Sequence, residues 1–152
     1  MDDLKNPCGS STGSAVGVSA GFSPIALGTD SIGSLTSPAT RAALYSLKPT
    51  VGSVDTSGVW RVSSLFDVIG GLTKSVTDLA VITTLLVHSD SKNGAGRNGF
   101  EQYLSRTFQG LRIGFLDPRE WVYPPDVVKP IEEVNLQIVS SLPCHQICFA
   151  SY

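Results

Sequence analysis

Two clusters of glycine and serine, set a short apolar segment apart, constrain this chain more than any other feature. The first is Cys8-Gly9-Ser10-Ser11-Thr12-Gly13-Ser14 and the second is Gly28-Thr29-Asp30-Ser31-Ile32-Gly33-Ser34. Between them, Ala15 to Ala26 is built mostly from small residues. Gly- and Ser-rich turns between regular elements expose backbone N–H groups and hydroxyls together. Such a grouping is the raw material of an acyl-transfer site, where a nucleophilic hydroxyl must lie beside donors for a developing oxyanion.

Competing motifs are weighed on their structural context. Gly9-Ser10-Ser11-Thr12-Gly13 matches the G-x-S-x-G elbow, which would make Ser11 the nucleophile. An elbow needs an apolar strand before it and a helix after it. Asp2 to Pro7 is polar and does not supply that strand. The P-loop pattern fails, because no Gly-Lys-Ser/Thr follows the glycines.

The remaining chain reads as alternating elements. Ser14 to Ala20 is expected to be a short helix, its N-terminal N–H groups facing the first serine cluster. Pro24 to Gly28 is expected to be a short buried strand, and Pro38 to Tyr45 a helix with Pro38 in its first turn. Residues 53–72 are Ser/Gly-rich and read as loop with short strands. Ser75 to His88 is the clearest helix: Ser75 is a candidate N-cap with Asp78 three residues on, and Ala80, Val81, Thr84 and Leu85 recur at helical spacing. Ser89 to Gly99 reads as a polar connection. Leu111 to Asp117 alternates like a strand, Pro125 to Ser141 reads as an amphipathic helix, and Cys144 to Phe149 as a further strand. This succession predicts an α/β fold, part of an α/β/α layered arrangement.

Three blocks together resemble the amidase signature family of serine hydrolases. That signature runs, in outline, G-G-S-S-G-G-S, an Ala/Val-rich helix, A-L-G-T-D-x-G-G-S-I-R-x-P, then G-L-K-P-T. The chain reads Gly9-Ser10-Ser11-Thr12-Gly13-Ser14, then Ala26-Leu27-Gly28-Thr29-Asp30-Ser31-Ile32-Gly33-Ser34-Leu35-Thr36-Ser37-Pro38, then Ser46-Leu47-Lys48-Pro49-Thr50. The signature blocks span residues 7–50, and a weaker likeness through Ser63-Ser64-Leu65-Phe66-Asp67 and Gly71-Leu72-Thr73-Lys74-Ser75-Val76 runs to about residue 85.

The resemblance implies a mixed central sheet between helices and a Ser-cisSer-Lys catalytic group. By motif position Ser34 corresponds to the nucleophile and Ser10 to the bridging serine, with a cis bond between Gly9 and Ser10. The N–H groups of Ser31, Ile32, Gly33 and Ser34 correspond to the oxyanion hole, and Gly9, Ser11 and Asp30 to the supporting loop. The family's lysine has no counterpart: Lys5 does not match its position, and Lys48 belongs to the Leu-Lys-Pro-Thr block. Ile32 and Thr12 stand where the family has glycine, and Thr36 where it has arginine. If either glycine position needs positive φ, a β-branched residue is strained there. The chain is thus expected to be a single partial amidase signature domain over residues 1–152. It is expected to lack the upstream lysine region and the C-terminal region, and to have low or no activity alone. The alternative expectation is a non-catalytic, amidase-like interaction module.

Composition narrows partners. Of the 152 residues 41% are hydrophobic, enough for a packed core, and the formal net charge is −2. Neither nucleic acid nor an anionic membrane is expected as a partner. No apolar run approaches the roughly 20 residues of a membrane span. The polar N-terminus shows no secretory h-region, and three cysteines, an odd count, suit a reducing, cytoplasmic setting. Cys144, His145 and Cys148, with His88, match no standard zinc spacing, so no metal and no cofactor are expected. The expected partner is a small-molecule amide, with possible association through faces that truncation would leave uncovered.

Overall fold

The computed structural model describes residues 8–87, 99–105, 107, 110, 113–116, 133–134, 136–137 and 147–150. Two compact units divide the chain, Met1–Leu104 and Ser105–Tyr152.

In the first unit, helix α1 (Thr12–Ser19) is followed by strand β1 (Ile25–Asp30), helix α2 (Thr36–Arg41), strand β2 (Tyr45–Ser46), strand β3 (Val68–Thr73) and helix α3 (Val76–Leu86). A 3₁₀ turn over Phe100–Tyr103 closes the unit. The three strands form one sheet in the order β1-β3-β2, with both outer strands antiparallel to β3. The β1–β3 register pairs Ile25 with Thr73 and Asp30 with Val68.

Residues 53–67 are turns and irregular chain apart from a bridge at Val54, and the short strand expected within 53–72 lies at its end. That strand, Val68-Ile69-Gly70-Gly71-Leu72-Thr73, is the best-buried of the sheet and pairs on both sides. Its glycines are there because neighbours come too close for a side chain. A Cβ on Gly71 would stand 2.5 Å from Ile82 Cγ2 of α3, and one on Gly70 would strike the Leu47 carbonyl and stand 2.5 Å from Leu35 Cδ2. Glycine weakens a strand in isolation but permits this close approach.

Helix α1 begins two residues before the expected start and ends one before the expected end. It stops in a Schellman arrangement: Gly21 has φ +83°, its N–H donates to the Val18 carbonyl at 3.1 Å, and the Phe22 N–H donates to the Gly17 carbonyl at 2.9 Å. Ala15 and Val18 turn one face inward, onto Leu35, Ala39 and Leu72. Helix α2 is shorter than expected, because Ala43 takes φ +54° and the chain leaves for β2 at Tyr45. Helix α3 starts as its sequence predicts: the Ser75 Oγ accepts the Asp78 N–H at 3.0 Å. Its buried positions are Ala80 and Thr83, whereas Val81 and Leu85 are exposed, so the apolar run does not mark the packed face. Thr84 ties the 3₁₀ turn to α3: it accepts the Phe100 N–H at 2.8 Å and donates to Glu101 Oε2 at 2.9 Å.

In the second unit, β4 (Ile113–Leu116) pairs in parallel with β5 (Ile147–Ala150), Ile113 opposite Ile147. Strand β4 lies within the segment expected to be a strand, and β5 overlaps its expected segment and runs one residue past it. Residues 133–134 and 136–137 are helical, and the rest of the expected 125–141 helix lies outside the described residues. So do His88, Cys144, His145, Lys5 and nearly all of the 89–99 connection. The α/β class expected from the element pattern is the one observed, with antiparallel pairing in one unit and parallel pairing in the other.

Candidate active site

The site grows from the C-terminal end of β1. The strand delivers Asp30 to the head of a tight loop, residues 31–35, that leads into α2. Asp30 is fully buried (0% exposed). Its Oδ1 accepts the Gly33 N–H at 2.8 Å and its Oδ2 accepts the Leu35 and Thr36 N–H groups at 2.9 and 3.2 Å. One carboxylate therefore folds the loop around itself. Gly33 takes φ +108°, and the only non-glycine positive φ values among the described residues are at Cys8 and Ala43. Ile32 and Thr12 thus escape the strain that a positive φ would have imposed.

Lys48 completes the arrangement. Its Nζ donates to Asp30 Oδ1 at 2.9 Å, to the Asp30 carbonyl at 2.9 Å, to the Ser31 carbonyl at 2.8 Å and to the Phe66 carbonyl at 3.0 Å. An ammonium has three donors and no acceptor. With four oxygens around it, Lys48 is a clamp on the loop rather than a base for a serine. Burial pushes the Asp30 carboxyl up, but the Gly33 amide, the Lys48 ammonium and the Leu35 and Thr36 amides outweigh it and hold the group at about 2. No local sequence signal points to this clamp, because Asp30 and Lys48 lie 18 residues apart in different blocks.

A second carboxylate grips the loop from the other side. Ser31 Oγ donates to Asp67 Oδ1 at 2.5 Å, and Asp67 Oδ2 accepts the Val62 and Ser63 N–H groups at 2.6 and 2.9 Å. The Ser31 hydroxyl and the Ser63 amide hold the Asp67 carboxyl below its ordinary value.

The first serine cluster docks against this loop. The Ser11 N–H donates to the Ser34 carbonyl at 2.9 Å. Ser11 itself is buried, and its hydroxyl is spent on β1: it donates to the Thr29 carbonyl at 3.2 Å and accepts the Thr29 N–H at 3.1 Å. Ser14 Oγ donates to the Leu27 carbonyl at 2.8 Å. A Cβ on Gly28 would stand 2.5 Å from Ser11 Oγ, so the two clusters need that glycine to meet. Gly9 sits in a turn with φ +139°.

The expected cis bond between Gly9 and Ser10 is not found: no peptide among the described residues is cis. A non-proline cis bond costs about 3–4 kcal/mol and persists only where its surroundings over-determine it. Here positive φ at Cys8 and Gly9 makes the turn with trans peptides.

Ser10 and Ser34 line one cavity of about 70 Å³, together with Ser31, Thr29, Thr56, Asp67, Val59, Trp60, Val62, Val68 and Ile69. Ser10 is exposed and Ser34 half-buried, and no hydrogen bond joins their hydroxyls. Of the four amides in the 31–34 loop, Gly33 donates inward to Asp30. Those of Ser31, Ile32 and Ser34 have no protein partner among the described residues. Neither described lysine, Lys48 or Lys74, hydrogen-bonds to Ser10 or Ser34. Among the described residues no group of three or more His, Cys, Asp or Glu is placed to hold a metal. No described helix is long and apolar enough to cross a membrane.

Comparison with known proteins places this geometry in a family. The family model described as Amidase matches residues 1–147. A glutamyl-tRNA(Gln) amidotransferase subunit of Persephonella marina is 32% identical over 96% of this chain and 33% of the relative. The corresponding subunit of Rubrobacter xylanophilus is 38% identical over 90% of this chain and 29% of the relative. Among solved structures, the glutamyl-tRNA(Gln) amidotransferase subunit from Thermotoga maritima superposes with a TM-score of 0.77 at 30% identity, covering 95% of this chain and 32% of that one. A 6-aminohexanoate cyclic dimer hydrolase superposes with a TM-score of 0.75 at 25% identity, covering 93% and 31%. The chain thus spans about a third of the length of the relatives it matches. With its two serine clusters meeting at a loop that a carboxylate and a lysine hold in shape, this chain belongs to the amidase family.

Proposed function

We propose that the chain carries the serine half of an amidase-type hydrolase site, acting on the C–N bond of amides. In this reading Ser34 Oγ attacks the amide carbonyl, forms an acyl-enzyme and expels the amine, and water then releases the acid. Ser10 relays the proton. The unpartnered amides of Ser31, Ile32 and Ser34 receive the oxyanion, while Gly33 shapes the loop through Asp30. Gly9, Ser11 and Asp30 support the two loops. The observation that carries this reading is that Ser10 and Ser34 line one cavity together with Ser31, whose amide, like those of Ile32 and Ser34, has no protein partner among the described residues. We treat the chain as part of one amidase domain, in a cytoplasmic protein, with a small amide as substrate and no cofactor.

A serine hydroxyl is a weak nucleophile until a base takes its proton. No described lysine reaches either serine, which favours a second reading: an amidase-like module without turnover of its own. Fluorophosphonate labelling mapped by peptide mass spectrometry, run beside hydrolysis of a small aryl amide, separates the two. Aryl-amide turnover that disappears in Ser34→Ala supports the hydrolase. Background turnover with slow labelling at Ser34 supports the silent module. Labelling at Ser11 instead overturns the assignment of the nucleophile.

A further inference from the structure

The cavity has a mixed lining. Ser10, Ser34, Ser31, Thr29, Thr56 and Asp67 are polar, Val68 and Ile69 come from β3, and Val59, Trp60 and Val62 come from the loop before it. Trp60 is 97% exposed and Val62 87% exposed. Scattered exposed apolar side chains are ordinary. These three instead come from one short loop and line the same space as the two serines.

The loop is not free to drift from the serines. The Val59 N–H donates to the Thr56 carbonyl at 3.1 Å, and the Val62 N–H donates to Asp67 Oδ2 at 2.6 Å. The other oxygen of Asp67 accepts from Ser31 in the nucleophile loop at 2.5 Å. One carboxylate thus joins the main chain of the apolar loop to the serine loop, holding the loop's backbone beside the serines before any ligand arrives. Preorganisation of this kind lowers the ordering cost of binding. The same carboxylate repels an anionic ligand.

We propose that Val59, Trp60 and Val62 form an apolar wall of the site and select amides that carry a neutral, apolar group next to the carbonyl, with Asp67 as the positioning residue. This rests on the reading above for where the amide carbonyl sits.

Binding tests the wall without requiring chemistry. Calorimetric titration of the purified chain with phenylacetamide, acetamide and succinamate gives three affinities. Phenylacetamide is expected to bind at least about tenfold tighter than acetamide, the gain that apolar contacts in a pocket supply. Succinamate, which carries a carboxylate, is expected to bind weakest. In Trp60→Ala and in Val62→Ser the preference for phenylacetamide should fall to about threefold or less. Phe22→Ala, an exposed aromatic that does not line this cavity, should retain the preference. Fluorophosphonate labelling at a serine other than Ser34 would unseat the nucleophile and leave these affinities unchanged, so the two failures are read separately. Equal affinities in the unsubstituted chain, no binding of phenylacetamide, an undiminished preference in both wall variants, or an equal loss in Phe22→Ala overturns the proposal.

Discussion

The two loops that meet at the cavity are built on opposite plans. The 31–35 loop is wound around a buried charge, with Asp30 taking three amides and an ammonium. The 59–66 loop carries Trp60, Val62 and Leu65 into solvent and is attached through Asp67 at its C-terminal end. In the first loop, shape depends on a polar network whose members cannot be removed singly without leaving a buried group unpaired. In the second, exposed side chains contribute little to holding the fold, and the loop is held chiefly by its main chain.

Substitution tests that contrast directly. Asp30→Ala leaves the Lys48 ammonium facing only carbonyls and three loop amides without an acceptor, and is expected to cost about 3–5 kcal/mol in urea denaturation. An effect below about 1 kcal/mol, the range of a surface pair, would show that the clamp is not structural.

Acid probes the same group without mutation. Asp30 has its carboxyl lowered from 3.8 to about 2, so its contribution is fully present above the unfolded value and is lost as pH falls through the folded one. Stability measured by thermal melts should therefore drop by about 2 kcal/mol between roughly pH 4 and pH 2 on this account. Asp67, also lowered, acts in the same direction. A flat profile across that window would contradict the assigned hydrogen bonding.

Gly28→Ala should come next, since its new Cβ meets Ser11 Oγ and Leu35 Cδ1 at 2.5 and 2.8 Å. A loss of at least about 1 kcal/mol is expected from this overpacking, with weaker fluorophosphonate labelling as the two clusters part. At the small end, Trp60→Ala in the apolar loop should change stability by no more than about 0.5 kcal/mol. A larger loss would mean that the 59–66 loop supports the fold after all.

The sequence discloses these features unevenly. Helix α3 is legible because Ser75 and Asp78 state its start locally, and β1 is legible in place but not in burial: the buried strand expected over Pro24–Gly28 runs Ile25–Asp30 with only Asp30 buried and Leu27 exposed. For β3 only a short strand somewhere in 53–72 is legible; its central place is not, because the reason for Gly70 and Gly71 lies in Leu35, Leu47 and Ile82 elsewhere in the chain. The buried face of α3 is misread for a related reason: Val81 and Leu85 are apolar but exposed, and Thr83 is inside with its hydroxyl donating to the Leu79 carbonyl. Ser10 and Ser34 stand out by motif, and both line one cavity. Lys48 reads only as part of a loop, since nothing local signals a partner so far along the chain.

The hydroxyls of Ser11 and Ser14 have a consequence for architecture as well as chemistry. They occupy main-chain positions at Thr29 and Leu27 along the outer margin of β1, where a further strand would otherwise attach. Those main-chain groups are therefore already satisfied, which disfavours unwanted pairing with another chain at that margin. The opposite margin of the sheet is β2, which is only two residues long, Tyr45–Ser46, so the hydroxyls guard the longer of the two outer strands.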